Sequence, residues 1–196
     1  MTSRLTIAAV CLAGCLPGGR ASAQALEPGP PGPFVVDVRG VTSGVPTGES
    51  FFPTLPAGAV VPSRGFGGSV GVHVYALRIG PARLGIGADA LFARGSTVDA
   101  SSTLTTVAPQ LSLNFGTSDG WSYLSTGVGA TRIDVEPGSS ATVRTVNIGG
   151  GARWFLGPHL GVGFDVRFHR MAAGGEPGSE TPASMAVALG VGVSVK

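Results

Sequence analysis

Residues 184–195 read Ser-Met-Ala-Val-Ala-Leu-Gly-Val-Gly-Val-Ser-Val, and this stretch decides the fold class. Every second residue, from Met185 to Val195, is large and apolar, and the residues between them are Ser, Ala or Gly. Successive side chains of a strand point to opposite faces, whereas a helix would mix the two sets around its surface. The stretch therefore predicts a β-strand with one apolar face and one face of small, weakly polar residues.

The same alternation recurs along most of the chain. In residues 160–170, large apolar residues alternate with glycine and with Asp165, Arg167 and His169. The pattern is least regular in residues 121–135, where the parity slips near Ile133. We predict eight strands, most of them about 9–13 residues long, which suits a tilted strand that crosses a bilayer. They cover residues 34–41, 66–75, 83–94, 103–115, 121–135, 143–155, 160–170 and 184–195.

The composition fits such a chain and excludes several others. Of 196 residues, 33 are glycine and 15 proline, 43% are hydrophobic, and the mean hydropathy is +0.34. Charged residues make up 12%, about half the usual share of a soluble domain. A disordered chain would show high charge and low hydrophobicity. A coiled coil would need long runs of Ala, Glu, Lys and Leu, which this sequence lacks.

Residues 1–23 have the layout of a signal peptide. Arg4 gives a short basic start, an apolar run continues to Leu16, and Ala21-Ser22-Ala23 presents the small residues that signal peptidase needs. Cleavage there would remove Arg4 and Arg20 from the 13 basic residues, so that the number of basic residues would equal that of the 11 acidic residues. A neutral chain gives no reason to expect a nucleic-acid partner.

A second cleavage site competes with the first. Residues 12–15, Leu-Ala-Gly-Cys, resemble the lipobox of bacterial lipoproteins, which would leave Cys15 lipidated at the new N-terminus. We favour cleavage after Ala23, which would remove both cysteines and with them any disulfide. A stiff linker rich in Pro and Gly then covers 24–33, and a single domain covers 34–196.

The connections between predicted strands differ at the two ends of the sheet. Three are tight turns with Gly or Pro, at residues 79–82, 117–120 and 156–159. Two of the others are long, at residues 43–64 and 171–183, and two are of moderate length, near 95–101 and 136–141. Short turns at one end and longer loops at the other are typical of an outer-membrane barrel with its turns in the periplasm.

Aromatic residues suggest two belts at the membrane interfaces, where amphipathic rings accumulate. The belt at the short-turn end would contain Tyr75, Phe115, Trp121, Tyr123, Trp154 and Phe155. The belt at the long-loop end would contain Phe66, Phe92 and Phe168.

The chemistry of the two faces indicates which of them is inside. A soluble barrel would carry Lys and Glu on its outer face, but the chain contains one lysine, Lys196. We therefore expect the apolar face to contact lipid and the small polar face to line the interior. Lipid offers no hydrogen bonds to the backbone, so the sheet must close. The fold class predicted is all-β: an eight-stranded antiparallel up-and-down transmembrane β-barrel.

Over residues 34–196 this pattern resembles the small eight-stranded outer-membrane β-barrels of Gram-negative bacteria, which include the outer-membrane protein A barrel and the opacity and adhesion proteins. Gly190, Val193 and Val195 match part of the assembly signal of such proteins, although Lys196 stands in place of the usual final aromatic residue. The resemblance implies location in the outer membrane, contact with its lipids and lipopolysaccharide, recognition by the barrel-assembly machinery, and a monomer. It also implies a structural role, or an interaction carried by surface loops, without catalysis.

One strand face carries the residues most suited to chemistry, Asp165, Arg167 and His169. Some small barrels act on lipid A with a histidine and an acidic or Ser partner, so His169 with Asp165 is an alternative function, and a narrow pore is another. We favour an internal network of salt bridges that fills the lumen, because buried charges need partners of opposite sign. The residues of that network are Asp37, Asp89 and Asp165 with Arg39, Arg153 and Arg167.

The remaining motifs predict no catalytic, cofactor-binding or metal-binding residues. His73 is expected to be a hydrogen-bonded lumen residue and His159 a solvated turn residue, and the three histidines lack metal-ligand spacing. The glycine pairs at 85–87 and 161–163 lack the helix that follows a phosphate-binding loop, so strand alternation explains them better.

The first long loop, residues 43–64, contains a group of apolar residues: Phe51, Phe52, Leu55, Val60 and Val61. They would form a contact surface for an extracellular partner if exposed, because exposed apolar patches often mark interfaces. We favour the alternative that they fold onto the rim of the barrel or into the outer leaflet.

Overall fold

The computed structural model describes residues 31–47, 51–52, 55, 58–138, 140–174 and 182–196. They form a closed barrel in which each strand pairs with the next along the chain and β8 returns to β1, with every pair antiparallel. This confirms the predicted fold class. The strands are β1 Phe34–Gly44, β2 Arg64–Ile79, β3 Ala82–Ser96, β4 Ser101–Gly116, β5 Gly120–Glu136, β6 Ser140–Phe155, β7 Leu160–Met171 and β8 Ser184–Val195.

The N-terminal features predicted from the sequence, namely the signal over 1–23, Cys15 and most of the linker over 24–33, lie outside the described residues. They stay predictions. A search of the described residues for a helix long and apolar enough to span a membrane found no such helix.

Several strands run beyond their predicted bounds. The largest extension is in β2, which continues past Tyr75 to Ile79. The register against β3 shifts between Val74 and Leu77, as at a β-bulge. A bulge adds a residue to one strand and so interrupts its alternation, which explains why the sequence pattern ended early there.

The two faces of the barrel are assigned as predicted. The outward face carries large apolar side chains; for example, Ile86 on β3 is 70% exposed and Val191 on β8 is 68% exposed. The inward face holds the charged residues, of which Asp37 and Arg153 are essentially inaccessible. An apolar surface this extensive on the outside of a closed sheet is the inverse of a soluble barrel.

The two ends differ as expected, although only two loops carry the difference. The short-turn end has connections at 80–81, 117–119 and 156–159. At the long-loop end, 45–63 and 172–183 are long, whereas 97–100 and 137–139 are as short as the turns opposite. The prediction of moderate length for those two was wrong, because the flanking strands extend their ladders further than the apolar pattern does.

The interior has three layers. An aromatic layer at the short-turn end contains Val35, Tyr75 and Trp121, with Phe155 packed against them. A charged layer in the middle contains the six Asp and Arg residues named above. A mouth layer at the long-loop end is apolar and contains, among others, Val41, Leu91, Leu104, Ile133, Val143 and Met171.

The predicted aromatic belt at the short-turn end is largely wrong. Tyr75, Trp121 and Tyr123 are 1–2% exposed and point into the lumen, so Trp154 and Phe115 are the members that face outward most clearly. At the other end Phe66, Phe92 and Phe168 all face outward and are exposed, as the belt predicted there requires.

The slip of parity near Ile133 has no counterpart in the backbone. Alternation in β5 is continuous, and Ile133 and Val135 point inward like Trp121 and Tyr123. The apparent slip arises because the inward face changes from polar to apolar where β5 enters the mouth layer.

Candidate functional site in the barrel lumen

The centre of the charged layer is Asp37 on β1, which is 0% exposed. Arg153 on β6 donates to both of its carboxylate oxygens, from Nε at 2.8 Å and from Nη2 at 2.7 Å. Arg39 lies 2.7 Å away on the same strand, and Ser194 on β8 donates its hydroxyl at 2.6 Å. A bidentate pair of this kind fixes geometry as well as charge.

A second centre forms around Asp165 on β7. The Tyr123 hydroxyl donates to Asp165 Oδ2 at 2.7 Å, and Arg167 lies 3.3 Å from the same oxygen. Tyr123 also accepts a hydrogen bond from Arg39 at 3.1 Å, and the Arg153 guanidinium stacks over its ring at 3.8 Å from the centroid. Tyr123 thus joins the two acidic centres.

The remaining contacts complete the charge balance. Asp89 on β3 lies 3.9 Å from Arg39 and 4.0 Å from Arg167. The Arg167 Nη1 donates at 3.0 Å to both Gln110 and Asn147. Three carboxylates and three guanidiniums are therefore enclosed together, which confirms the predicted network and explains how buried charges are tolerated.

Sequence reasoning missed the role of Tyr123, which it had placed in a belt, and of Ser194. Both residues occupy inward positions in the alternation of their strands, so this alternation already indicated that their side chains point into the lumen. Gly151 on β6 makes room for this arrangement, because a Cβ there would lie 2.9 Å from the Tyr123 hydroxyl and closer still to the Phe164 carbonyl.

The structure does not bring His169 and Asp165 together as an acid–base pair. They lie four residues apart on one strand, a separation of about 13 Å along it. The two ring nitrogens of His169 are buried and make no hydrogen bond to described residues, and Asp165 is held by Arg167 and Tyr123.

Packed side chains fill the lumen, and the largest enclosed ones include Trp121, Arg153 and Arg167. A narrow pore would need a continuous aqueous path, and this packing does not support one. A search of the described residues for groups of three or more His, Cys, Asp or Glu that could hold a metal ion found none.

The other two histidines take different positions. His73 is inward as predicted, and its ring nitrogens have no hydrogen-bond partner among the described residues. His159 is exposed in the β6–β7 turn, and its Nδ1 lies 3.2 Å from the Lys196 carbonyl oxygen. The glycine pairs at 85–87 and 161–163 lie within β3 and β7, as strand alternation predicted.

The described residues of loop 45–63 pack against the mouth of the barrel. Phe51 and Phe52 are 2% and 4% exposed and belong to the mouth layer, which confirms that they fold onto the rim and overturns their role as an exposed contact surface. The loop is fixed to the β3–β4 connection, because the Val60 amide donates to Asp99 at 2.8 Å and the Thr97 hydroxyl to the Val60 carbonyl at 2.5 Å.

The short-turn opening is covered by Lys196. Its ammonium lies 3.9 Å from the centroid of the Phe155 ring and 5.5 Å from that of Trp121, and it donates to the Ser118 carbonyl. Partial burial lowers the pKa of the Lys196 ammonium, because burial penalises the charged form.

Comparison with known proteins places this fold. No protein-family model matches the sequence, and no curated protein is significantly similar to it. Among solved structures, Neisserial surface protein A is 16% identical, with 84% of this chain and 97% of that chain covered and a TM-score of 0.57. Ail, the attachment invasion locus protein of Yersinia pestis, is 9% identical in its complex with the heparin analogue sucrose octasulfate, with 83% and 96% covered and a TM-score of 0.54. The outer membrane protein OprG from Pseudomonas aeruginosa is 10% identical, with 86% and 97% covered and a TM-score of 0.51. The chain therefore has the fold of the small eight-stranded outer-membrane β-barrels.

Proposed function

We propose that this chain is an integral protein of the outer membrane with a structural or loop-mediated surface role and no catalytic activity. The observation that carries the proposal is the inverted barrel, with charges enclosed in the lumen and large apolar side chains on the outside. Such an outer face would be costly in water and is stable in hydrocarbon. The filled lumen supports a scaffold rather than a channel.

The route to the membrane belongs to the same proposal. We propose export by the signal over residues 1–23 with cleavage after Ala23, insertion of the barrel over 34–196 by the barrel-assembly machinery, and function as a monomer. The support is the layout of the N-terminal sequence, together with the closure of the sheet between β1 and β8, which leaves no free strand edge for a second copy.

Two outward arginines support lipopolysaccharide as a lipid partner. Arg170 on β7 lies opposite Val146 on β6. Arg144 comes two residues before Val146 on β6, nearer the long-loop end and on the same outer face. Both are exposed, and neither has an acidic partner within 4 Å in the part of the chain that the structure describes. Arginines at the edge of an apolar band suit the phosphates of outer-leaflet lipid.

Loop 45–63 and the adjacent 97–100 connection offer the surface for any extracellular protein partner. Phe51 and Phe52 are buried, but among the described residues of the tip Val60 and Val98 are 57% and 95% exposed. They lie close together, since Val60 is bonded to both Thr97 and Asp99.

Extraction from cells tests the membrane assignment. The full-length gene product is expected in the outer-membrane fraction, soluble only with detergent, and to change its gel mobility when the detergent extract is boiled. A closed barrel keeps its ladder of hydrogen bonds in detergent until it is heated. A compact monomer that stays dissolved without detergent would contradict the proposal.

Replacing both Arg144 and Arg170 by glutamine tests the lipid partner. The binding of lipopolysaccharide vesicles to the detergent-purified barrel is expected to weaken by about tenfold or more, as when charge-assisted hydrogen bonds are lost. Arg132→Gln is the matched control, because Arg132 is already paired with Asp134 at 2.9 Å. Equal weakening by the control, or none by the double variant, would exclude these arginines from lipid binding.

A further inference from the structure

A pair of like charges lies at the short-turn end, with Arg78 exposed and Arg83 half-buried. Arg78 on β2 is directly opposite Arg83 on β3, across the turn at Gly80 and Pro81. Ile79, the next residue after Arg78, is exposed on the outward side, so Arg78 occupies an inward position of β2. Arg83 is paired with Arg78 and therefore occupies an inward position of β3. Like charges directly opposite each other in a sheet are destabilising. Among the described residues, neither guanidinium has an acidic partner within 4 Å.

A buried amide without partners lies beside this pair. Asn114 on β4 is directly opposite Arg83 and is 0% exposed. Its amide nitrogen and its amide oxygen make no hydrogen bond to described residues, and the same is true of the buried Arg83 Nε. Buried polar groups are nearly always paired, and leaving them unpaired is costly.

A third unsatisfied donor lies near Asn114. Tyr123 on β5 is opposite Asn114. Trp121 lies two residues before Tyr123 on the same inward face, so Trp121 is the diagonal neighbour of Asn114. The Trp121 indole nitrogen is buried and has no hydrogen-bond partner among the described residues. In the cluster of Arg78, Arg83, Asn114 and Trp121, donors therefore outnumber acceptors, and the one side-chain acceptor is the Asn114 amide oxygen.

The cluster is built so that its donors are available. Arg78 Nε donates to the Gly80 carbonyl at 3.2 Å, which holds the stem of the side chain in the turn. In the part of the chain that the structure describes, its terminal nitrogens make no ion pair. Guanidiniums present their donors in a planar fork that matches the oxygens of phosphate. Two adjacent guanidiniums also match the charge of a phosphate dianion better than that of a carboxylate.

We propose that Arg78 and Arg83 bind a phosphate group at the short-turn mouth of the lumen, with the Asn114 amide as a further donor. The site faces the lumen opening and not the apolar outer face, so the phosphate belongs to a water-soluble molecule and not to a membrane lipid. This ligand site goes beyond the structural role proposed above and does not depend on the long loops.

Titration with inorganic phosphate tests the site. The full-length barrel folded in nonionic detergent is titrated at constant ionic strength, and the side-chain amide resonance of Asn114 is followed by NMR. We expect a saturable shift with phosphate, and an affinity about tenfold or more weaker in Arg83→Gln, because a charge-assisted hydrogen bond is lost. Arg132→Gln, on the outer face at the opposite end and already paired with Asp134, should bind as the unmodified protein does.

In the detergent titration, three outcomes would overturn the proposal: no saturable shift with phosphate, equal affinity for acetate, or an Arg83→Gln affinity unchanged from that of the unmodified protein. A fourth such outcome is the loss of phosphate binding when the barrel is placed in bilayers that contain phosphatidylglycerol. The last would assign the site to lipid headgroups. If Arg83→Gln fails to show the folded band on an unboiled gel, Arg78→Gln at the exposed turn replaces it with the same expectation.

Discussion

Replacing Asp37 by alanine is expected to destabilise the folded barrel by about 3–5 kcal/mol, as breaking a buried ion pair does. Asp37 is the acceptor for both Arg153 and Arg39, and all three side chains are at most 5% exposed. Removing the carboxylate leaves two enclosed guanidiniums without their closest counter-charge, and it also removes the acceptor of the Ser194 hydroxyl. The cost comes mainly from the buried charges that are left behind.

Urea unfolding of the barrel in lipid vesicles, followed by Trp fluorescence, measures this effect. Asp134→Ala is the matched control, because Asp134 also pairs with an arginine, Arg132 at 2.9 Å, but on the surface. An exposed pair contributes about 1 kcal/mol or less, so the control should unfold close to the unmodified protein. If the two variants lost equal stability, the charged layer would not be a sealed network.

The sequence predicts the outer face well, because every outward position has to satisfy the same requirement, an apolar side chain. In β8, Val187 and Leu189 face outward and Ala186 and Ala188 face inward, as alternation alone predicts. A position that contacts hydrocarbon needs no particular neighbour, so a local pattern is enough to assign it. The same applies to the number of strands and to their order around the barrel.

The inner face could be predicted only in part, because its residues depend on partners from distant strands. The three acids and three arginines of the network could be read from the sequence, but their pairing could not. Asp37 meets Arg153, which is 116 residues away along the chain. Strand tilt and stagger decide which inward side chains share one level, and neither is encoded in a local pattern.

Residue type misled the prediction where it conflicted with parity. Their amphipathic rings predict an interface belt for Trp121 and Tyr123, although both residues share the parity of the inward residues of β5. A polar lumen satisfies such rings equally well, as the bond from the Tyr123 hydroxyl to Asp165 shows. Ile133 was misjudged for a related reason, since the apolar mouth layer that accepts it is completed by Phe51 and Phe52 from a remote loop.

Replacing Val72 by arginine is expected to destabilise the barrel in a bilayer by about 2–4 kcal/mol, the cost of a basic residue at mid-depth on a lipid-facing strand. Val72 is the middle of three outward valines on β2, with Val70 and Val74 on either side, and all three are exposed. If this face contacts hydrocarbon, the new guanidinium loses its hydration. If the face contacted water, the same change would be neutral or would raise solubility.

Val98→Arg is the matched control for this variant. It introduces the same side chain in place of the same residue, but Val98 is 95% exposed in the 97–100 connection, beyond the ends of β3 and β4. The two variants are compared by urea unfolding in vesicles and by solubility after detergent removal. A selective loss of stability in Val72→Arg supports the lipid-facing assignment. Equal stability, or a Val72→Arg protein that stays dissolved without detergent, would show that water covers this face, and the proposed location in the membrane would then be wrong.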